Sequence, residues 1–208
     1  MNESLDHALE NLGLEEKEES ARHSFLIGLA YLYGIDVEIN VDRAFQLITA
    51  AAEAQRPDPD AMEKLAELYA NGIGIDTNLQ KAIYWQKKFT WFIASDLCRQ
   101  LPPEERINLE MKLFHGLLKL SDFQKADGEY DAAIQNAKNG LEEILRIEKE
   151  ISARERIKGK AEALSKLGNL HKIQGKNIVA TKYYEMSLEL KKILIEKKEE
   201  MKWKKGKY

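Results

Sequence analysis

One stretch of this chain is written twice. Tyr31, Gly34, Asn40 and Ala44 recur as Tyr69, Gly72, Asn78 and Ala82, each pair 38 residues apart with no insertion between them. The chemistry is kept at the same offset in Ile27/Leu65, Val37/Ile75, Glu38/Asp76 and Arg43/Lys81. A period of this length marks a repeat architecture, in which each unit is too small to bury its apolar face alone and must stack on a neighbour. Stacked repeats leave extended surfaces that serve binding more often than catalysis.

Each copy reads as helix, glycine loop, helix. In the second copy Met62, Leu65, Ala66 and Tyr69 fall at i, i+3, i+4 and i+7, one apolar stripe of a helix. Gly72 ends that helix, because glycine enters the left-handed C-cap conformation without a Cβ clash. Thr77 or Asn78 caps the next helix, whose stripe is Ala82, Trp85 and Phe89. The first copy repeats the plan with Ile27, Gly28 and Tyr31, then Gly34, then Ala44, Leu47, Ile48 and Ala51. Gly28 and Ala66 are small where two helices of a hairpin would cross closely. The helix starting near Thr77 is predicted to run to Leu101 and to stop at Pro102-Pro103. Pro103, Glu104 and Glu105 then open another helix, with proline and acids in its first turn.

Composition excludes several classes. At 208 residues with 32% charged side chains, 4 prolines and 12 glycines, the chain suits long solvated helices. It holds no apolar span of membrane-crossing length. Residues 1–20 carry seven acids against Lys17, unlike the basic start of a secretory signal. The single cysteine, Cys98, has no internal disulfide partner. Its apolar neighbours Phe92, Ile93, Ala94 and Leu97 predict a buried thiol, and a cytoplasmic location follows as the expectation. A net charge of −3 gives no reason to expect nucleic acid as a partner. Lysines crowd residues 188–208, where a solvated basic tail is expected and Trp203 favours contact with an anionic surface as the alternative.

No catalytic, metal or cofactor site is expected. The histidines His7, His23, His115 and His171 lack HExxH spacing, and one cysteine cannot build a zinc cluster. Gly72-Ile73-Gly74 lacks the strand and the Lys-Ser/Thr ending of a phosphate loop. The pairs Glu15/Glu16 and Glu142/Glu143 sit in highly charged helical sequence without an acid–base signature.

The run from Ala61 to Phe89 resembles a Sel-one-like repeat. Ala61, Leu65, Tyr69, Gly72, Gly74, Lys81, Ala82, Trp85 and Lys88 match that family's pattern. The copy from His23 to Asp60 resembles it less, with Asp36 in the place of the second loop glycine and Leu47 in the place of tryptophan. Farther on, Leu164 to Leu190 resembles a tetratricopeptide repeat, with Leu164, Leu167, Gly168, His171, Gly175, Ala180, Tyr184 and Ser187 at its anchor positions. A degenerate earlier copy uses Leu117, Leu120, Gly128, Tyr130, Ala133, Ala137 and Gly140. Gly128 and Gly175 are 47 residues apart, so lengthened helices like those of the kinesin-light-chain type are expected. His171 then stands at a packing position.

These resemblances imply an all-α, right-handed superhelix (α-solenoid) of antiparallel helical hairpins. Residues 1–101 would form Sel-one-like repeats, copies 23–60 and 61–98, behind an N-terminal helical cap. Residues 102–208 would form tetratricopeptide-like repeats with a basic tail, the two arrays packing as one through Trp91 and Phe92. The implied function is a non-catalytic scaffold that binds a protein or peptide. Its groove positions fall on His115, Leu118, Lys119, Asp122 and Lys125, and on Glu162, Ser165, Lys166, Asn169 and Lys172. Asn169 stands where the family places an asparagine that bonds a peptide backbone. Lysines outnumber acids among these positions, so an acidic segment or a free carboxylate is the expected partner. A peptide-sensing regulator of the bacterial type, or a self-assembly module from a larger protein, is the alternative.

Overall fold

The computed structural model describes residues 21–205, with side chains described up to residue 196. The proposed N-terminal cap and the side chain of Trp203 lie outside those limits. Among the described residues the structure is all-α, without strands, and its helices are α1 (Ala21–Tyr33), α2 (Val41–Glu53), α3 (Pro59–Asn71), α4 (Leu79–Asp96), α5 (Pro103–Ala126), α6 (Tyr130–Arg146), α7 (Ala153–Ile173) and α8 (Asn177–Lys205). In the first unit α1 packs on α2 and α2 on α3, and in the second α5 packs on α6, α6 on α7 and α7 on α8. The chain separates into two compact units, residues 1–89 and 90–208, the division falling inside α4.

In the first unit the sequence period becomes a period of hydrogen bonds. Ile35 N–H donates to the Ala30 carbonyl at 3.0 Å, and Ile73 to Leu68 at 3.1 Å. Asn40 N–H reaches the Tyr31 carbonyl at 3.0 Å, and Asn78 reaches Tyr69 at 2.8 Å. The Asn40 side chain accepts from Arg43 N–H at 2.9 Å and the Asn78 side chain from Lys81 N–H at 2.9 Å, so each second helix has its N-terminus satisfied by an asparagine cap. Asn78, rather than Thr77, is the cap.

The loops turn through left-handed backbone at Gly34 (φ 70°) and Gly72 (φ 65°), then again at Asp36 (φ 59°) and Gly74 (φ 73°). Asp36 therefore holds the same conformation as the glycine it replaces, which aspartate tolerates better than most L residues.

Packing follows the predicted stripes. Met62, Leu65, Ala66 and Tyr69 are buried on α3, as are Ala82, Trp85 and Phe89 on α4. On α2, Ala44, Ile48 and Ala51 are buried, with Leu47 partly so. A Cβ on Gly28 would lie 2.8 Å from Ile48 Cγ1, so α1 and α2 cross closely there. The hairpins are joined by Phe45 and Tyr69, whose rings meet edge to face at 5.5 Å.

Three expectations change at and after α4. The helix stops at Asp96 rather than Leu101, because Cys98 and Arg99 take i−3 bonds, to Ser95 at 3.1 Å and to Asp96 at 3.0 Å, that tighten and end it. Cys98 consequently lies beyond the apolar stripe and is exposed, not buried, its Sγ 3.6 Å from the Ala94 carbonyl. Trp91 is 71% exposed, on the face of α4 opposite Ile93, and is not a core residue.

The second unit repeats its loops at the 47-residue offset. Gly128 N–H donates to Lys125 and Glu129 N–H to Gln124, at 3.2 and 2.8 Å. Their counterparts run from Gly175 to Lys172 and from Lys176 to His171, at 3.0 and 2.9 Å. Two clusters form the core. Phe114, Leu118, Ile144, Ile147 and Ala163 make one, and Ala133, Ile134, Ala137, Leu167 and Leu170 the other. Pro103 opens α5 as expected, and Ser152 with Glu155 closes a capping box on α7.

Candidate binding face on helices α5 and α7

The predicted groove residues divide by which way their helix turns them. On α5, Leu118 is 2% exposed and belongs to the core, so it is corrected from a groove position to a packing one. His115 is exposed and tilts against Phe114, with ring centroids 4.7 Å apart. Lys119 is partly buried. Asp122 bridges two elements: it pairs with Lys125 on its own helix at 3.7 Å and with Lys166 of α7. That cross-helix pair ties the first helices of the two repeats together at the face they share.

Along α7, Glu162, Ser165, Lys166 and Asn169 line a concavity of about 390 Å³ whose other residues are Lys158 and Ala161 of α7 and Lys191 and Leu194 of α8. His115, Lys119, Asp122, Lys125 and Lys172 do not line it. Ser165 Oγ is 3.2 Å from Lys191 Nζ, which donates to it, and 3.4 Å from Ser187 Oγ. The Ser187 hydroxyl also donates to the Ala161 carbonyl at 2.7 Å. Asn169 is exposed, but its side-chain oxygen accepts from the Tyr184 hydroxyl at 2.8 Å. The amide is therefore oriented by α8, with its NH2 as the group directed to other acceptors. The sequence pattern missed Lys158, Lys191 and Leu194. Their signal was present: they stand 47 residues after Met111, Ile144 and Ile147, three apolar residues of the first repeat.

His171 is 8% exposed, as a packing residue should be, and stacks on Tyr183 with ring centroids 5.5 Å apart and planes 3° apart. Burial, with Lys176 and Lys138 nearby, pushes its imidazole below the ordinary histidine range. Its Nδ1 is buried without a hydrogen-bond partner. Glu143 is also buried, and desolvation raises its carboxyl against the opposing pull of Arg146, 2.9 Å away. Among the described residues no group of three or more His, Cys, Asp or Glu side chains is placed to hold a metal ion. None of their helices is long and apolar enough to cross a membrane.

Residues 24–55 and 59–88 match the family model of the Sel1 repeat. The hairpins α1–α2 and α3–α4 are thus two Sel1 repeats, and repeats of this kind serve as protein-interaction scaffolds. No curated protein matches the chain. Among solved structures it is similar to a Sel1 repeat protein from Oxalobacter formigenes, with 18% identity, 88% of this chain and 79% of that chain covered, and a TM-score of 0.42. It is also similar to MamA, with 17% identity, 88% and 98% covered, and a TM-score of 0.37.

Proposed function

We propose that this chain is a non-catalytic adaptor whose α7–α8 face binds an acidic segment of a partner protein. The observation that carries this reading is the concavity on α7, where Glu162, Ser165, Lys166 and Asn169 converge with Lys158 and Lys191. With Lys166 already paired to Asp122, Lys158 and Lys191 against Glu162 leave a surplus of one positive charge, and charge-assisted hydrogen bonds favour a carboxylate ligand at such a place. The exposed portions of these contacts are screened by salt, so affinity falls as ionic strength rises. A cytoplasmic setting accords with a sole cysteine that has no disulfide partner within the chain.

The test is selection of a random peptide library on the full chain. Acidic sequences should be enriched, and Lys158→Glu with Lys191→Glu should abolish their enrichment while leaving the circular dichroism spectrum unchanged. Enrichment of basic sequences, or enrichment of acidic ones that the double variant leaves intact, would place the ligand elsewhere.

A further inference from the structure

The 47-residue register shows what kind of cavity the α7–α8 concavity is. In the first repeat, Phe114 and Leu118 of α5, with Ile144 and Ile147 at the end of α6, form a slot, and α7 is seated in it through Ala163. The seating is close enough that a Cβ on Gly159 of α7 would lie 2.8 Å from Ile144 Cγ1 and 3.3 Å from Phe114 Cζ. Counting 47 residues on from those four wall positions gives Ala161, Ser165, Lys191 and Leu194, and all four line the concavity. The concavity is the second repeat's copy of a helix-seating slot.

Its walls have been rewritten. Ala161 replaces Phe114, Ser165 replaces Leu118 and Lys191 replaces Ile144, so the copy is wider at its floor and positively charged at its rim. Lys158, standing where the first slot has Met111, adds a second exposed cation. The helix in the first slot places glycine against Ile144, with Phe114 the next nearest wall. In the second, Ala161, 2% exposed, stands at the floor in place of Phe114, and an entering helix meets Lys158 and Lys191 where α7 meets apolar atoms.

We propose that this slot takes an acidic amphipathic helix of a partner protein, anchored by a large apolar side chain over Ala161 and flanked by carboxylates that pair with Lys158 and Lys191. This rests on the reading of the α7 face as an acidic-ligand site and narrows it: the ligand enters as a helix, not as an extended strand. Helix-in-groove recognition reads anchors at i, i+3, i+4 and i+7, which is the spacing a slot between two helices can accept.

The test uses the full chain and three fluorescent synthetic peptides: a helix-forming one with leucine and phenylalanine at that spacing and glutamate elsewhere, its lysine-for-glutamate version, and an isomer of the first with two central prolines. The acidic helical peptide should bind saturably and about tenfold or more tighter than the other two, a difference of about 1.4 kcal/mol or more. Carbodiimide should couple its glutamates to Lys158 or Lys191. Ala161→Phe, which restores the residue type the first slot carries, should weaken binding by about tenfold while the protein stays folded. Lys158→Glu with Lys191→Glu, both at exposed positions, provides a second variant with the same expected loss.

Equal binding of the proline isomer would overturn the helical slot yet leave the acidic-ligand reading standing. Loss of all acidic binding would remove both. Binding that Ala161→Phe leaves unchanged would overturn the slot as the place. So would coupling of the chain's own acids among residues 1–20 to Lys158 or Lys191 with exclusion of the peptide, since the occupant would then be internal to the protein's own sequence.

Discussion

The two units solve the same problem, joining helices into hairpins, with different chemistry. In the Sel1 unit each loop is held by an asparagine cap and two left-handed residues, and Gly74 presses on its neighbour: a Cβ there would lie 3.0 Å from Val41 Cγ1 and 3.1 Å from the Val41 carbonyl. In the second unit the loops at Gly128 and Gly175 are tight turns, and a Cβ at either would meet nothing within 4 Å. There the repeats are joined instead through side chains, by the pair of Asp122 with Lys166 and by the seating of α7 over Phe114 and Ile144. The first unit thus adds a loop contact, Gly74 on Val41, to the Phe45–Tyr69 ring contact between its repeats, whereas the second joins its repeats on helix faces that can be rewritten position by position. A cavity arises readily in the second arrangement, because Ala161, Ser165 and Lys191 stand in place of Phe114, Leu118 and Ile144 while the loop hydrogen bonds at Gly128 and Gly175 stay the same.

The largest expected effect tests whether the two units nevertheless share one stability. Trp85, 6% exposed with Lys88 Nζ 4.6 Å above its ring, and Phe114, fully buried, are the aromatic anchors of the first and second unit. Trp85→Ala and Phe114→Ala should each cost about 3–5 kcal/mol. If the chain is the one continuous array its sequence leads us to expect, calorimetry should show a single transition that either variant lowers. Two transitions, each moved by only one variant, would make the units independent. A loss below about 1 kcal/mol for Trp85→Ala would show that its burial does not carry the usual energy of an emptied aromatic site.

The loop contrast predicts an unequal pair. Gly74→Ala combines a left-handed backbone with contact against Val41, and should cost about 2–3 kcal/mol. Gly128→Ala, strained in φ alone, should cost about 1–2 kcal/mol. Equal costs in a denaturant titration would mean that the Val41 contact is relieved by small shifts, and the loops of the two units would no longer differ in kind. Asp36→Gly should change stability by no more than about 0.5 kcal/mol, since relief of the left-handed strain is offset by the greater freedom of glycine in the unfolded chain.

Asparagine caps come next in size. Asn40→Ala and Asn78→Ala should each cost about 1 kcal/mol, by leaving an N-terminal N–H of α2 or α4 without its acceptor. The second unit offers a check, because the residues that open α5 and α6, Pro102 and Glu129, make no side-chain cap bond. Glu129→Ala should therefore cost less than either asparagine change, apart from its bond to Gln124 at 3.1 Å. A larger loss at Glu129 would reverse that ranking.

Much of this fold was legible because repetition checks itself. Asn40 and Asn78 are equivalent by position, and although the sequence left the second cap open between Thr77 and Asn78, the structure gives both copies the same asparagine cap; Gly28 announced a close crossing by its smallness. Two misreadings fall where no copy was available for comparison, whereas Leu118, whose copy is Ser165, was misread in spite of one. The end of α4 depends on a change from i−4 to i−3 bonds that no residue near Cys98 signals, and Trp91 lies on the outer face of a helix apolar on several sides. The site was legible in part for a similar reason. The spacing of α7 brought Glu162, Ser165, Lys166 and Asn169 to one face, but Lys191 and Leu194 come from α8, whose rotation is set by packing against α7. Tyr184 on Asn169 is likewise a tertiary contact 15 residues away in sequence.

The smallest expected effect appears only in acid. At the anchor that closes each repeat's first helix, the first copy has Gln124 accepting from the Asn136 amide at 2.7 Å, and the second has His171 stacked on Tyr183. The stack buries Nδ1 without a partner, so protonation would place a charge and an unsatisfied N–H in the core, and the folded-state pKa lies below the ordinary value of about 6.5. Above that value histidine is neutral in folded and unfolded chains alike and the site imposes no penalty. Below it the unfolded chain takes up a proton that the folded one refuses, so stability falls with pH until the lowered folded-state pKa is passed, and then levels off. Glu143 acts in the opposite sense, since its raised pKa lets the folded chain take up a proton ahead of the unfolded one. The difference between proteins isolates the histidine: His171→Gln, which imports the residue of the first repeat, should flatten the decline between neutral pH and the acid limb while keeping Glu143's contribution. Parallel stability curves for the two proteins would show that the stacked histidine titrates alike in both states, and the copies would then differ in shape but not in their response to acid.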